Sequence, residues 1–169
     1  MSHAPLQLGK LTITIVERDG EVTYYFSGFV DEQFRHKDVP RITKSKIVFD
    51  LEGITHFNSC GIREWIYLVR DISQLGKLHY RKCSVAVIDQ INMVPDTLGK
   101  GVIESFFAPY FCPCSGEVNR LIQVQNFASQ VESGKAPAFN CDSCGQPLEF
   151  DALEESYFLF ASPTVSKAG

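Results

Sequence analysis

Alternating apolar and polar positions mark the first part of the chain. The run LTITIVERDGEVTYYFSGFV alternates on both sides of Asp19 and Gly20, and Asp-Gly favours a tight turn between antiparallel strands. The pattern therefore predicts a two-stranded hairpin. The polar stretch that follows contains Pro40, which stops any helix begun at Asp31, because proline cannot continue a helix interior. A short helix and a loop are expected there.

An unbroken apolar run and then a helical repeat follow this loop. KIVFDL, residues 46–51, is predicted as a strand buried on both faces because three apolar residues stand in a row. The next segment repeats apolar residues at spacings of three or four, which predicts an amphipathic helix that Gly76 ends. The repeating positions are Ile62, Trp65, Ile66, Val69 and Ile72. KLHYRKCSVAVI then predicts another strand, which leads into a second helical segment near residues 87–93, before Pro95.

This order of elements, β-β-α-β-α-β-α, predicts an α/β fold in which helices cover the sheet. After residue 100 the pattern changes, because aromatic residues alternate with small ones in VIESFFAPYF and cluster again in ESYFLFA. Both runs are predicted as strands, and the first could also extend the main sheet. We expect a main domain over residues 8–100, a small β-rich lobe over 101–162 and a flexible tail at 163–169.

Composition and charge limit the class of protein, the partners and the cell compartment that we expect for this chain. Of the 169 residues, 44% are hydrophobic and 21% are charged, which is typical of a globular protein, and the net charge is −4. An acidic chain has no long-range attraction to nucleic acid or to anionic lipid. The amino-terminal segment lacks the pattern of a signal peptide, and no apolar run approaches the ~18 residues of a membrane helix. We expect a cytoplasmic protein with no membrane partner.

Four of the six cysteines form two close pairs. Cys112 and Cys114 lie one residue apart in FCPCSGE, and Cys141 and Cys144 lie two apart in FNCDSCGQP. Two such pairs can close a tetrahedron of thiolates around Zn²⁺, as in a zinc ribbon. A redox dithiol and ordinary buried thiols are the alternatives, although Gly145 after the second pair disfavours the helix that a thioredoxin-like site opens. The predicted Zn²⁺ is structural, because cysteines fill all four positions.

The turn Asn58-Ser59-Cys60-Gly61 joins the buried strand to the amphipathic helix. A side-chain oxygen of Asn58 or Ser59 can cap the first helical turn. Ser59 could instead accept a phosphate, whereas a nucleophilic role is disfavoured because no base is placed near it and the G-x-S-x-G motif is absent. Cys60 could be a redox or catalytic thiol at a helix amino terminus, but we expect a small buried residue.

The segment IVFDLEGITHFNSCGIREWIYLVRDISQLGKL resembles the central signature of STAS domains, the family of anti-sigma factor antagonists. The upstream SGFVDEQ, with Gly28 and Asp31, also resembles that family. The resemblance implies a four- or five-stranded mixed sheet, a role in protein-protein switching, and phosphorylation at the position of Ser59 by a partner kinase. Asn58 stands where the family has an aspartate, so the carboxylate beside the phosphoacceptor is missing.

The leading expectation is therefore a non-enzymatic regulatory interaction module of the STAS type, with no catalytic residues. Its partner would be an anti-sigma factor or a kinase, and the sequence does not fix its oligomeric state. The alternative is a zinc-ribbon protein that binds nucleic acid or acts in transcription. The net charge of −4 disfavours nucleic acid as a partner. The strongest basic cluster, RHKDVPRITKSK, is expected to be a solvated loop or a contact for an anion or an acidic partner.

Overall fold

The computed structural model describes residues 1–162, and the predicted flexible tail at 163–169 lies outside them. Its larger part is a six-stranded mixed sheet in which the strands follow one another in chain order. The first three are antiparallel, and the third to the sixth are parallel. The strands are β1 (Leu6–Leu8), β2 (Leu11–Arg18), β3 (Glu21–Val30), β4 (Lys46–Phe57), β5 (Lys77–Arg81) and β6 (Val102–Ile103).

The predicted hairpin is confirmed as β2 and β3, with Arg18 paired to Glu21 across the turn. The predicted short helix after it is only a 3-10 turn at His36–Asp38. The predicted end of the next strand at residue 51 is wrong, because β4 continues to Phe57. Parallel pairing with β3 runs on through two register shifts to the last residues of both strands, so the chain stays extended beyond the predicted end.

Two helices connect the parallel strands, α1 (Ser59–Ile72) between β4 and β5 and α2 (Val85–Met93) between β5 and β6. Both pack against β4. The predicted helical repeat is confirmed at its centre, where the Trp65 ring lies 4.9 Å from the Phe26 ring and is fully buried. Within residues 1–162, no helix has the length and apolar character needed to span a membrane.

The backbone carbonyl of Thr97 holds the chain after α2 against α1. It accepts hydrogen bonds from the Trp65 indole Nε1 at 3.1 Å and from the Tyr80 hydroxyl at 2.7 Å, both in the buried core. Burial raises the pKa of Tyr80 well above its usual range, so its hydroxyl remains a donor. The 3-10 turn Pro95–Thr97 is thereby fixed beside α1.

A second, three-stranded antiparallel sheet lies beyond β6. It consists of β7 (Ser105–Cys112), β8 (Gly116–Gln123) and β9 (Glu149–Phe150). Helix α3 (Ala128–Glu132) lies in the connection between β8 and β9, and helix α4 (Glu154–Tyr157) follows β9. The strand predicted for ESYFLFA is wrong, because the segment forms α4 and a 3-10 turn at Leu159–Ala161. Adjacent Tyr157 and Phe158 are both buried, which a helical turn permits and a strand with one buried face does not.

The two sheets share one continuous hydrophobic core, which extends from Leu11 to Phe160. The run VIESFFAPYF contributes to both, since Val102–Ile103 completes the first sheet and Ser105–Cys112 is the central strand of the second. Phe106 bridges to Cys83 beyond the end of β5. The smaller sheet is therefore packed against the larger one and is not a separately cored unit.

The end of β3 and the beginning of α1 meet at the carbonyl oxygen of Val30. This oxygen accepts the backbone N–H of Asn58 at 3.1 Å, and a Cβ added at Gly61 would lie 2.0 Å from it. Only glycine fits there. The glycine of the turn is required by this backbone contact, and the contact fixes where the helix starts.

We predict that Gly61→Ala lowers the free energy of unfolding by about 2 kcal/mol or more, because the clash with Val30 outweighs the gain of about 1 kcal/mol in helix propensity. Urea titration monitored by Trp65 fluorescence measures the change. Cys60→Ala is the matched control, since Cys60 is exposed in the same turn, and it should change stability by less than about 0.5 kcal/mol. Equal stability of Gly61→Ala and the wild type would contradict the assigned contact.

Candidate switch turn and metal centre

Asn58 caps the amino terminus of α1. Its backbone is extended, with φ −109° and ψ 173°, and its side-chain Oδ1 accepts the N–H of Gly61 at 2.9 Å. Ser59 is the first residue of the helix and is exposed to solvent. Of the two residues predicted as possible caps, the structure assigns the cap to Asn58, which leaves the Ser59 hydroxyl outside this role.

A carboxylate lies beside the turn even though Asn58 carries none. The Asn58 side-chain Nδ2 donates to Oε2 of Glu32 at 2.7 Å. The backbone amide of Glu32 itself, and then the Asn58 side chain, hold the pKa of the Glu32 carboxyl below its usual range. Sequence reasoning missed Glu32 because it is 26 residues from Asn58, and only the parallel pairing of β3 with β4 brings the two strand ends together.

The prediction that Cys60 is a buried residue is wrong, because Cys60 is exposed. Gly61, the next residue, is buried and turns toward Val30. Consecutive helical residues point about 100° apart, so Cys60 faces solvent when Gly61 faces the sheet. The turn therefore presents Ser59 and Cys60 together at the surface.

The four paired cysteines come together at one end of the second sheet. Cys112 is the last residue of β7, Cys114 lies in the following turn, and Cys141 and Cys144 belong to the later loop. All four Sγ atoms lie within 4.8 Å of one another. Three of the separations are 3.4 Å, 3.5 Å and 3.5 Å. A tetrahedral ion with metal-sulfur bonds of about 2.3 Å needs sulfurs about 3.8 Å apart, so the arrangement fits a four-coordinate metal.

Tight turns and an ion pair hold the cysteine segments in place. Gly145 has φ +72° and donates its N–H to the carbonyl of Cys141 at 2.9 Å, which closes the second turn. Arg120 on β8 pairs with Asp142 at 2.7 Å, and its guanidinium lies 5.0 Å from the Phe139 ring centre. One arginine thus joins the first cysteine hairpin to the loop that carries the second pair.

Local hydrogen bonds favour the thiolate at Cys141. The backbone amide of Cys144, the Ser115 hydroxyl and the backbone amide of Ser143 together lower the pKa of Cys141 to about 6. At Cys114 the neighbouring thiols, Cys144 first, raise the pKa to about 12. A cysteine binds a metal ion as its thiolate. A metal ion at this cluster would therefore displace the proton that the raised pKa keeps on Cys114.

Acidic side chains pair with much of the predicted basic cluster. Three of its cations lie within 4 Å of a carboxylate, and His36 contacts the buried Glu64 at 2.6 Å. Carboxylates thus neutralise three of the five Lys and Arg of this segment, and Arg35 and Lys37 form no ion pair within residues 1–162. The pairs are Arg41 with Asp71 at 2.8 Å, Lys44 with Glu17 at 3.4 Å, and Lys46 with Glu104 at 2.8 Å.

Comparison with known proteins assigns no family. A scan against protein-family models and a search of curated protein sequences each gave no match.

We predict that Asn58→Ala lowers the free energy of unfolding by about 1 kcal/mol, because the Gly61 N–H loses its acceptor. Ser59→Ala, one residue away and exposed, should change it by less than about 0.5 kcal/mol. Chemical denaturation of both variants beside the wild type measures the difference. A larger loss in Ser59→Ala than in Asn58→Ala would mean that the cap is assigned to the wrong residue.

Proposed function

We propose that this chain is a non-enzymatic regulatory module of the STAS type, which binds a protein partner through the turn at Asn58-Ser59-Cys60-Gly61 and is switched by phosphorylation of Ser59. The observation that carries the proposal is the position of Ser59, exposed as the first residue of α1 directly after a buried parallel strand. The order of elements and the mixed sheet support it further. The partner class is an anti-sigma factor or its kinase.

The physical setting suits a reversible phosphate. A phosphoserine carries nearly two negative charges at neutral pH, and a helix amino terminus accommodates an anion through its unpaired N–H groups and its dipole. Because Asn58 already supplies the cap, modification of Ser59 leaves the start of α1 intact. The phosphate would change the surface that a partner meets without unfolding the domain.

Glu32 supports the assignment despite the asparagine at position 58. The STAS resemblance leads us to expect an acidic group beside the phosphoacceptor, and the Glu32 carboxylate lies 2.7 Å from the Asn58 amide. An acid from the end of β3 thus stands next to the turn in place of the missing aspartate. We propose that Glu32 and Asn58 act together as the polar neighbour of Ser59.

We propose that the four cysteines hold a structural Zn²⁺ in a ribbon-like lobe over residues 101–162. Four thiolates leave no open position for water or substrate, as in structural sites. A nucleic-acid-binding or transcription-associated role for this lobe is less well supported, because residues 101–169 contain three Lys and Arg against eight Asp and Glu. The role that best fits the lobe is a scaffold or a second docking surface.

Zinc binding can be measured directly. We expect one Zn²⁺ per chain by elemental analysis of the purified protein, and less than one tenth of that in Cys114→Ser, because three thiolates bind Zn²⁺ much more weakly than four. Chelation should lower the melting temperature, since binding free energy at a structural site is folding free energy. Cys60→Ser is the matched control, as Cys60 lies outside the cluster. A wild-type protein without metal would contradict the proposal.

The switch is tested by mass and by binding. Intact mass of the protein from its native cell should show a phosphate that Ser59→Ala removes. In a pull-down with the regulatory ATPases and anti-sigma factors of that cell, the wild type and Ser59→Ala should retain a partner, and Ser59→Asp should weaken binding at least about tenfold, through repulsion and steric blocking. No bound partner, or equal binding by Ser59→Asp, would contradict the switch.

A further inference from the structure

The exposed face of α1 carries an ordered stripe of side chains. Ser59, Arg63, Tyr67 and Arg70 follow one another at spacings of four, four and three, which places them on one side of the helix. All four are exposed. Tyr67 is 38% exposed although it is a large aromatic residue, and its ring lies 5.8 Å from the Arg70 guanidinium. Tyrosine and arginine are the residue types enriched at the energetic centres of protein interfaces.

A groove adjoins the far end of this stripe. It has a volume of about 270 Å³ and lies between α1 and the segment at residues 96–100. Ile66 and Val69 are its large apolar lining residues, and Arg70, Lys100 and Asp96 are its charged ones. The two hydrogen bonds to the Thr97 carbonyl hold this segment against α1, so the groove is already formed before anything binds, which lowers the entropic cost of binding.

The charge around the stripe is positive in a protein whose net charge is negative. Arg41 is paired with Asp71 of α1 at 2.8 Å, but five other cations on or beside the helix form no ion pair with a carboxylate within residues 1–162. These cations are Arg35, Lys37, Arg63, Arg70 and Lys100. Arg35 and Lys37 flank His36, whose Nδ1 contacts Glu64 of α1 and whose ring lies 5.3 Å from the Tyr67 ring. The surface defined by the stripe, these cations and the groove is called the α1 surface below.

Charge is unequally divided along the chain. Residues 1–100 contain 13 Lys and Arg against 12 Asp and Glu, whereas residues 101–169 contain three against eight. Of the eight Lys and Arg in residues 1–100 that form no ion pair within the described chain, five lie on the α1 surface, and the other three are Lys10, Arg18 and Lys77. A surface of this kind attracts an acidic partner and repels a basic one.

We infer that the α1 surface binds an acidic segment of a partner protein. An apolar side chain of this segment enters the groove, and the carboxylates on either side of it meet Arg63, Arg70 and Lys100. The inference extends the proposed function, because Ser59 lies on the same stripe. A phosphate at Ser59 adds negative charge beside Arg63, and it weakens the attraction for an acidic partner while helix α1 stays folded. The charge of the partner therefore explains how the modification releases it.

The inference can be tested before the partner is identified. The zinc-loaded full-length chain is used to select binders from a random peptide library displayed on phage, and the affinity of the enriched peptides is measured by fluorescence anisotropy. We expect sequences rich in Asp and Glu around a Leu or Phe. Their affinity should fall at least about tenfold in Arg70→Glu and in Arg63→Glu, and it should fall as salt is raised. Tyr67→Ala should also weaken them.

Arg18→Glu is the matched control. Arg18 is exposed in the β2–β3 hairpin, so the same charge reversal there should leave peptide affinity within about twofold of the wild type. Circular dichroism and zinc content show that each variant is folded. Enrichment of neutral or basic peptides, acidic peptides that bind Arg63→Glu and Arg70→Glu as well as the wild type, or no enrichment at all would each overturn the inference.

Two further measurements distinguish this inference from self-association of the chain and from the phosphate switch. If sedimentation shows that the wild type self-associates and Arg70→Glu does not, the occupant is a second copy of the chain and the inference of an acidic partner is overturned. Acidic peptides that bind Ser59→Asp as tightly as the wild type would leave the acidic partner in place and overturn the phosphate switch. Failure of the inference and failure of the proposed function are therefore distinguishable.

Discussion

The contact between the carbonyl of Val30 and the start of α1 determines the geometry of this molecule more than any other single interaction. It joins the end of β3 to the helix through the Asn58 N–H and excludes every side chain from position 61. Once the first turn of α1 is fixed there, the helical repeat directs Trp65 into the core. The exposed stripe, and Ser59 at its head, must then face solvent.

The buried Trp65 carries this constraint further along the chain. Its indole and the Tyr80 hydroxyl share one backbone acceptor at Thr97, so the segment after α2 takes its position from α1 and β5 together. A buried carbonyl with two donors is strongly held, because loss of either donor leaves polar groups without water. The groove beside α1 and the exposed stripe therefore both follow from the position of α1 on the sheet.

Periodicity in the sequence was sufficient for the elements whose pattern is local. The β2–β3 hairpin follows from alternation around Asp-Gly, and α1 follows from its apolar repeat. The extra length of β4 could not be predicted in this way, because residues 52–57 have no regular apolar pattern and pairing with β3 keeps them extended. The aromatic segment near Tyr157 became helical since packing on the core, rather than local preference, decided its conformation.

In the candidate site, too, some features follow from local sequence and others depend on contacts between distant residues. The cysteine cluster was predictable because the spacing of thiols within each pair reflects turn geometry, and the structure brings those four residues within 4.8 Å. Glu32 was not predictable, since its contact with Asn58 depends on the register of two strands. The exposure of Cys60 depended likewise on a steric demand at the next residue, which no local pattern reveals.

The unequal division of charge along the chain gives the folded molecule an electric dipole moment. A charged neighbour exerts a torque on such a molecule at distances comparable to the Debye length, about 8 Å at physiological ionic strength. Acidic macromolecules would thus turn the less acidic part, residues 1–100, toward themselves before any side chains touch. Random collisions would then be converted into oriented encounters, so the charge pattern acts on the rate of association as well as on its strength.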